Sequence, residues 1–324
     1  MRCSLIGLLL LCACSGGSTE PAWDVVAKDQ SSALLSVWAS SQSDVWVVGG
    51  DARNGNGPIV EHYDGISWTK LDTTLRNVDL WWVFGFANGP VFMTGSDGTI
   101  LRYQNGNFEK LVTPGNLTVF GMWGASADDL WAVGGNFGGG GFAWRFDGTT
   151  WTNDTDVPAD VTSQGTIWKV GGRANNDLWM SGSKGTMLHW DGATLARTDV
   201  PVDAPLLSVA GNTDRFVTVG GQFAGVLYEN DGSGWASKIP VGGPLLTGVA
   251  VSSDHAYAVG QYGAVLSRST SGAWDIESTD TTENLHGAFI DPEGGVWAAG
   301  GKFDTNPMTA GVLLHKGPTL KGSF

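Results

Sequence analysis

A short apolar run closing on glycine recurs seven times along this chain: DVWVVG (44–49), PVFMTG (90–95), DLWAVG (129–134), DLWMSG (177–182), FVTVG (216–220), AYAVG (256–260) and VWAAG (296–300). The closing residues are Gly49, Gly95, Gly134, Gly182, Gly220, Gly260 and Gly300, spaced by 46, 39, 48, 38, 40 and 40 residues. A period near 40 held over almost the whole chain requires an array of similar supersecondary units, and it is the period of a propeller blade.

Each unit holds more than one strand. Upstream of the glycine runs lie LSVWAS, WVFGFA, FGMWGA, WKVGG, LSVAG, TGVAV and HGAFI; downstream lie PIVEHYDG, TILRYQNG, FAWRFDG, TMLHWDG, VLYENDG, VLSRSTSG and VLLHKG. A fourth run follows in six units: SWTKLD, NFEKLV, TWTNDT, TLARTD, GWASKI and AWDIES. The units therefore read as four strands, A to D, with the glycine run as B. The C–D turns are Asp-Gly or Asn-Gly in five units, the residues that tolerate tight hairpins. The seventh unit lacks a fourth strand, because PTLKGSF (318–324) is short and polar. AWDVVAKD at residues 22–29 matches AWDIESTD at 273–280 and supplies it. The expected fold is all-β: a seven-bladed β-propeller over residues 22–317 whose N-terminal strand closes the last blade, with 318–324 as a tail. Closure of this kind shields strand edges. Helical periodicity is absent.

The first residues read MRCSLIGLLLLCACSGGSTE. Arg2 followed by the apolar run Leu5–Leu11 is too short to span a bilayer and reads as a signal peptide over 1–13. Leu11-Cys12-Ala13-Cys14 resembles a bacterial lipobox. That resemblance implies cleavage before Cys14, lipid and an acyl group such as palmitate on Cys14, and 14–21 as a tether. Ser15, rather than Asp, after the cysteine implies the outer membrane. All three cysteines lie in this segment, so the rest of the chain has no internal disulfide. The formal charge is −14, with 49 Gly and 16 Trp. Such acidity argues against a nucleic-acid partner, which needs clustered Lys and Arg.

The repeat, close to VWGxSxDDLWAVGxxGTILHWDGxxW, resembles that of propeller lipoproteins of the myxobacterial type, most specifically in FGMWGASADDLWAVGG and GTMLHWDG. The DG-x-x-W step (Asp64 to Trp68, Asp147 to Trp151, Asp231 to Trp235) is distantly similar to the Asp-box of sialidase-type propellers. It differs in having Asp and Gly adjacent, so the resemblance implies a shared turn and not that activity. Trp-Asp pairs occur without the Gly-His partner of WD repeats.

His62, Arg102, Arg145, His189, Glu229, Arg268 and His315 share one strand C position, which spreads them around a ring rather than into a site. Trp46, Trp131, Trp179 and Trp297 share one strand B position and are expected to pack between blades. Trp38, Phe84, Trp123 and Phe289 share a strand A position, in the core or toward the channel. No GxSxG, HExxH or metal-ligand spacing is present. The four-glycine run Gly138–Gly141 precedes no helix that would bind phosphate. The readings are therefore no catalytic residue, no metal and no cofactor.

Loops break the symmetry. The B–C connections of blades 1, 3 and 7 (GDARNGNGP, GNFGGGG and GKFDTNPMTAG) are longer than the others, and the D–A segment DVPADVTSQG (156–165) is long as well. B–C and D–A loops share one face, and binding favours loops on rigid scaffolds. The candidate partner-binding residues are Arg53, Asn54, Asn56, Asn136, Phe137, Lys302, Phe303, Asp304, Asn306 and Met308. The expected function is non-catalytic binding of an envelope protein or a glycan by a lipid-anchored protein of the bacterial cell envelope. The alternative is a glycan-active hydrolase or lyase at the channel mouth, which needs two carboxylates roughly 5–10 Å apart there.

Overall fold

A computed structural model describes residues 21–324, so the leader, Cys14 and most of the tether lie outside the described residues. The described residues form seven four-stranded antiparallel sheets. Six run A-B-C-D in chain order. The seventh is completed by the N-terminal strand Asp24–Gln30, which pairs with the last strand of the chain, Thr309–Lys316. This is the seven-bladed, N-terminally closed propeller expected from the repeat.

The recurrent glycine has one cause in all seven blades. Strand A carries a β-bulge two residues into its pairing with strand B, for example between Leu34 and Ser36 or between Val119 and Gly121. The bulge pushes the carbonyl that precedes strand A against strand B. A Cβ at Gly49 would stand 2.3 Å from the Ala33 oxygen, at Gly134 1.9 Å from that of Thr118, and at Gly300 2.1 Å from that of Asn284. The next amide closes the same contact: Gly50 N donates to Ala33 O at 3.0 Å and Gly301 N to Asn284 O at 2.8 Å. A bulge leaves one residue of the strand unpaired and turns its side chain out of the ladder.

Blades pack through the strand B tryptophans, as expected. Trp46, Trp131, Trp179 and Trp297 are buried and belong to clusters that join each blade to the next. The strand A aromatics go to the core as well: Trp38 is buried against Gly85 of blade 2, and Trp123 packs against Gly172 of blade 4. The strand C residues brace these rings. His62 stacks on Trp46 with centroids 4.1 Å apart and bonds Asp44 at 2.8 Å. His189 repeats both contacts on Trp179 and Asp177, and Arg145 lies 4.7 Å above both Trp131 and Trp190. One member of that ring needs correction. Ser267, not Arg268, faces Tyr257 across strand B. Blade 6 has the same B–C connection length as blades 2 and 4, so Ser267 falls at the shared position, and Arg268, one place on, pairs with Trp274 and reaches Glu229 of blade 5 at 2.7 Å.

The Asp-Gly turns also work differently from the sequence expectation. Glycine alone takes the positive φ at Gly65, Gly148 and Gly192. The aspartates instead accept amides two and three residues on: Asp64 from Ile66 and Ser67, Asp147 from Thr149 and Thr150, Asp191 from Ala193 and Thr194. These bonds hold all three carboxyls below the usual carboxylate range.

A helix was not expected, yet residues Ala159–Gln164 of the long D–A segment form one. Its Val161 is buried between blades 3 and 4. It explains the glycine run: a Cβ at Gly141 would meet Val161 Cγ1 at 2.8 Å, and one at Gly139 the Ser163 oxygen at 2.6 Å. The tail forms no strand but is not idle. Phe324 packs on Trp68 of blade 1 at 4.7 Å, and Lys321 N donates to the Tyr63 hydroxyl at 3.0 Å. At the other terminus Trp23 Nε1 donates to Glu277 of blade 6 at 2.8 Å. The two ends therefore clasp opposite sides of the closing blade.

Candidate functional site: an axial funnel of bulge residues

The unpaired bulge residues are Leu35, Trp81, Phe120, Trp168, Leu207, Thr247 and His286, one per blade. All but Leu35 line a cavity of about 770 Å³ on the propeller axis. Leu35 is buried beneath it with Ala33 and Met308. The B–C and D–A connections contribute Arg53, Asp79, Ser96, Phe137, Gln261, Asn284, Phe303, Asp304, Thr305, Asn306 and Met308 to the cavity wall.

Aromatic rings form a continuous band along this wall. Phe303 lies 5.1 Å from His286, His286 5.6 Å from Trp81, Trp81 5.2 Å from Phe120, and Phe120 5.1 Å from Trp168. Phe137 leans over the last two at 5.8 and 5.5 Å and stays exposed. Edge and tilted contacts of this kind leave ring faces available for a flat apolar ligand.

Charge around the funnel is mostly neutralised internally. Arg53 bridges blades 1 and 2, meeting Asp79 at 2.6 Å and Asp51 at 3.5 Å. His286 Nδ1 faces the Leu35 carbonyl at 2.6 Å, so that nitrogen is the donor. Burial, with the nearby Lys169 charge, pushes His286 down to about 3, and the ring is neutral at physiological pH. Lys169, beside the bulge residue Trp168, is buried. Its Nζ donates to the Phe120 carbonyl at 2.5 Å and stands 4.5 Å from the Trp82 ring. Desolvation alone lowers it to about 7.

Of the residues named from sequence, Arg53, Phe137, Phe303, Asp304, Asn306 and Met308 line the funnel. Asn54, Asn56, Asn136 and Lys302 do not. Asn54 accepts the Asn56 amide at 3.0 Å and shapes its own loop, the Asn136 carbonyl takes the Thr166 hydroxyl, and Lys302 is exposed at the end of a strand. Loop length was thus a partial guide. It missed the bulge residues, which stand at or next to the start of each strand A run. It also missed Phe223, Tyr262 and Val241, exposed apolar residues on short connections of the same face.

No protein-family model matches the sequence, and no curated protein matches it. Solved structures resemble it in fold. A structure of YCF48 bound to D1 peptide superposes with a TM-score of 0.68 at 15% identity, covering 94% of this chain and 100% of that one. YCF48 from Cyanidioschyzon merolae gives 0.68 at 16% identity over 92% of this chain and 99% of that one. The extracellular domain of the one-component system BT4673 from B. thetaiotaomicron gives 0.66 at 14% identity, over 90% of this chain and 40% of that one. At such identities the likeness establishes a β-propeller and nothing finer.

Proposed function

We propose that this protein is a non-catalytic binding scaffold of the bacterial cell envelope, anchored by lipid on Cys14 and recognising a partner through its funnel face. The observation that carries the reading is convergence. Side chains from six blades meet on one axis as an aromatic-walled cavity; Phe137 stands exposed on its wall, and Phe223, Tyr262 and Val241 are exposed on connections of the same face. Apolar cavities with a few polar groups, rimmed by exposed apolar side chains, are where partners dock. The peptide held by YCF48 and the extracellular placement of the BT4673 domain are in keeping with such a use.

The anchor supports the orientation. The closing strand begins at Asp24, level with His315, and ends at Gln30, level with Gly311, so it starts on the C–D turn side, away from the funnel. Cys14 and Ala22 are joined by a stretch that reaches at most about 29 Å. The funnel then faces away from the membrane. Among the described residues no helix is long and apolar enough to cross a membrane. The hydrolase reading is less well supported. A glycosidase needs two available carboxyl groups, and of the two lining carboxylates Asp79 is committed to Arg53 while Asp304 sits on the exposed loop.

The test is capture by the detergent-solubilised protein from envelope extract, compared with Phe137→Ser/Phe223→Ser/Tyr262→Ser. These rings are exposed, so the variant is expected to keep the melting temperature. Partners held by the native protein and lost by the variant support the reading; equal capture by both rejects this face.

A further inference from the structure

Lys169 is anomalous among the buried and half-buried cations of the described residues. Lys316 is buried and bonds Glu277 at 2.9 Å, and Arg268 meets the buried Glu229 at 2.7 Å. Lys169 is 4% exposed, yet no carboxylate lies within ion-pair distance of it among the described residues. Its contacts are one carbonyl and one indole face, which leaves ammonium donors unused and the charge uncompensated. The remaining titratable groups lining the funnel do not supply the missing anion: Arg53 and Asp79 neutralise each other, His286 is neutral, and Asp304 is on the exposed loop. The indole N–H of Trp168, in the adjacent position, has no acceptor either.

We propose that the funnel takes a carboxylate on an apolar or aromatic body, with the body against Trp81, Phe120 and Trp168 and the carboxylate on Lys169 Nζ. The proposal rests on the funnel being a binding site and deepens that reading by naming the ligand chemistry. A carboxylate would give the buried ammonium its counter-ion, and the aromatic band would desolvate the rest of the molecule. A cationic ligand would face Lys169 across a desolvated floor. A neutral one would leave the ammonium as it stands. Because Lys169 is held down to about 7, binding an anion draws a proton onto it, and affinity falls as pH rises beyond that point.

Three probes of one shape test this: indole-3-acetate, indole-3-acetamide and tryptamine, titrated calorimetrically into the native protein and into Lys169→Met. Indole-3-acetate is expected to bind at least about tenfold more tightly than the amide near pH 6, with the ratio shrinking toward one near pH 9. Lys169→Met should erase the ratio while still binding the amide. Equal affinity for acid and amide, tightest binding of tryptamine, or a ratio that survives Lys169→Met overturns the proposal and leaves the funnel reading standing. Absence of binding by all three overturns the proposed ligand chemistry, and the capture experiment with the rim variant still decides the funnel separately.

Discussion

Lys169 carries a stability cost with a definite pH signature. Its pKa falls from 10.5 to about 7 on folding. Between those values the unfolded chain holds a proton that the native state does not, so this residue's contribution to stability rises with pH across the window. Below about pH 7 the ammonium is buried in full, at a cost on the order of 3–5 kcal/mol. Lys169→Met is therefore expected to raise the urea midpoint near pH 6 and to raise it much less near pH 10. An equal gain at both would show that the ammonium is not desolvated. Glycine offers the complementary case. Gly134→Ala places a methyl 1.9 Å from the Thr118 oxygen, and the clash is with backbone. It should cost about 2–4 kcal/mol, whereas Gly138→Ala, with nothing within 4 Å, should stay within about 0.5 kcal/mol. The seven glycines were conspicuous in the sequence. The carbonyl that excludes a side chain at each was not, because it lies just ahead of the bulge on the neighbouring strand and meets the glycine only through their pairing.

Among elements, the bulge of strand A ties the visible repeat to the hidden site. One backbone irregularity both demands the glycine opposite and frees one side chain per blade for the axis. The tail is the element whose role the sequence hid. Its seven residues form no strand, yet Leu320 and Phe324 pack on the cluster shared by blades 7 and 1. Removing 318–324 is expected to lower the melting temperature by about 2–5 °C without changing the far-ultraviolet spectrum; an unchanged melting temperature would mean that the contact with Trp68 contributes nothing. The helix Ala159–Gln164 escaped notice for a related reason. It is under two turns long with Val161 as its one buried residue, so no 3.6-residue period accumulates.

At the scale of the whole molecule, the direction of the closing strand sets which face looks outward. Lys302 stands on the funnel side and Lys321 beside the C–D turn of blade 1, and both are exposed. If Cys14 holds the protein to a membrane, an amine-reactive reagent on intact cells or vesicles should label Lys302 faster than Lys321. Equal or reversed labelling would remove the orientation. Blade number and strand order were legible in the amino-acid sequence by itself, because six blades are antiparallel meanders of neighbouring segments that announce themselves within about 40 residues; ring closure was legible because AWDVVAKD repeats AWDIESTD where the seventh unit lacks a fourth strand. The funnel was decided by the tertiary structure alone. His286 and Trp81 stand 5.6 Å apart although they come from distant parts of the chain, brought together by the rotation of seven sheets about one axis. A local pattern can show that a residue leaves its strand; only the closed ring determines what it meets.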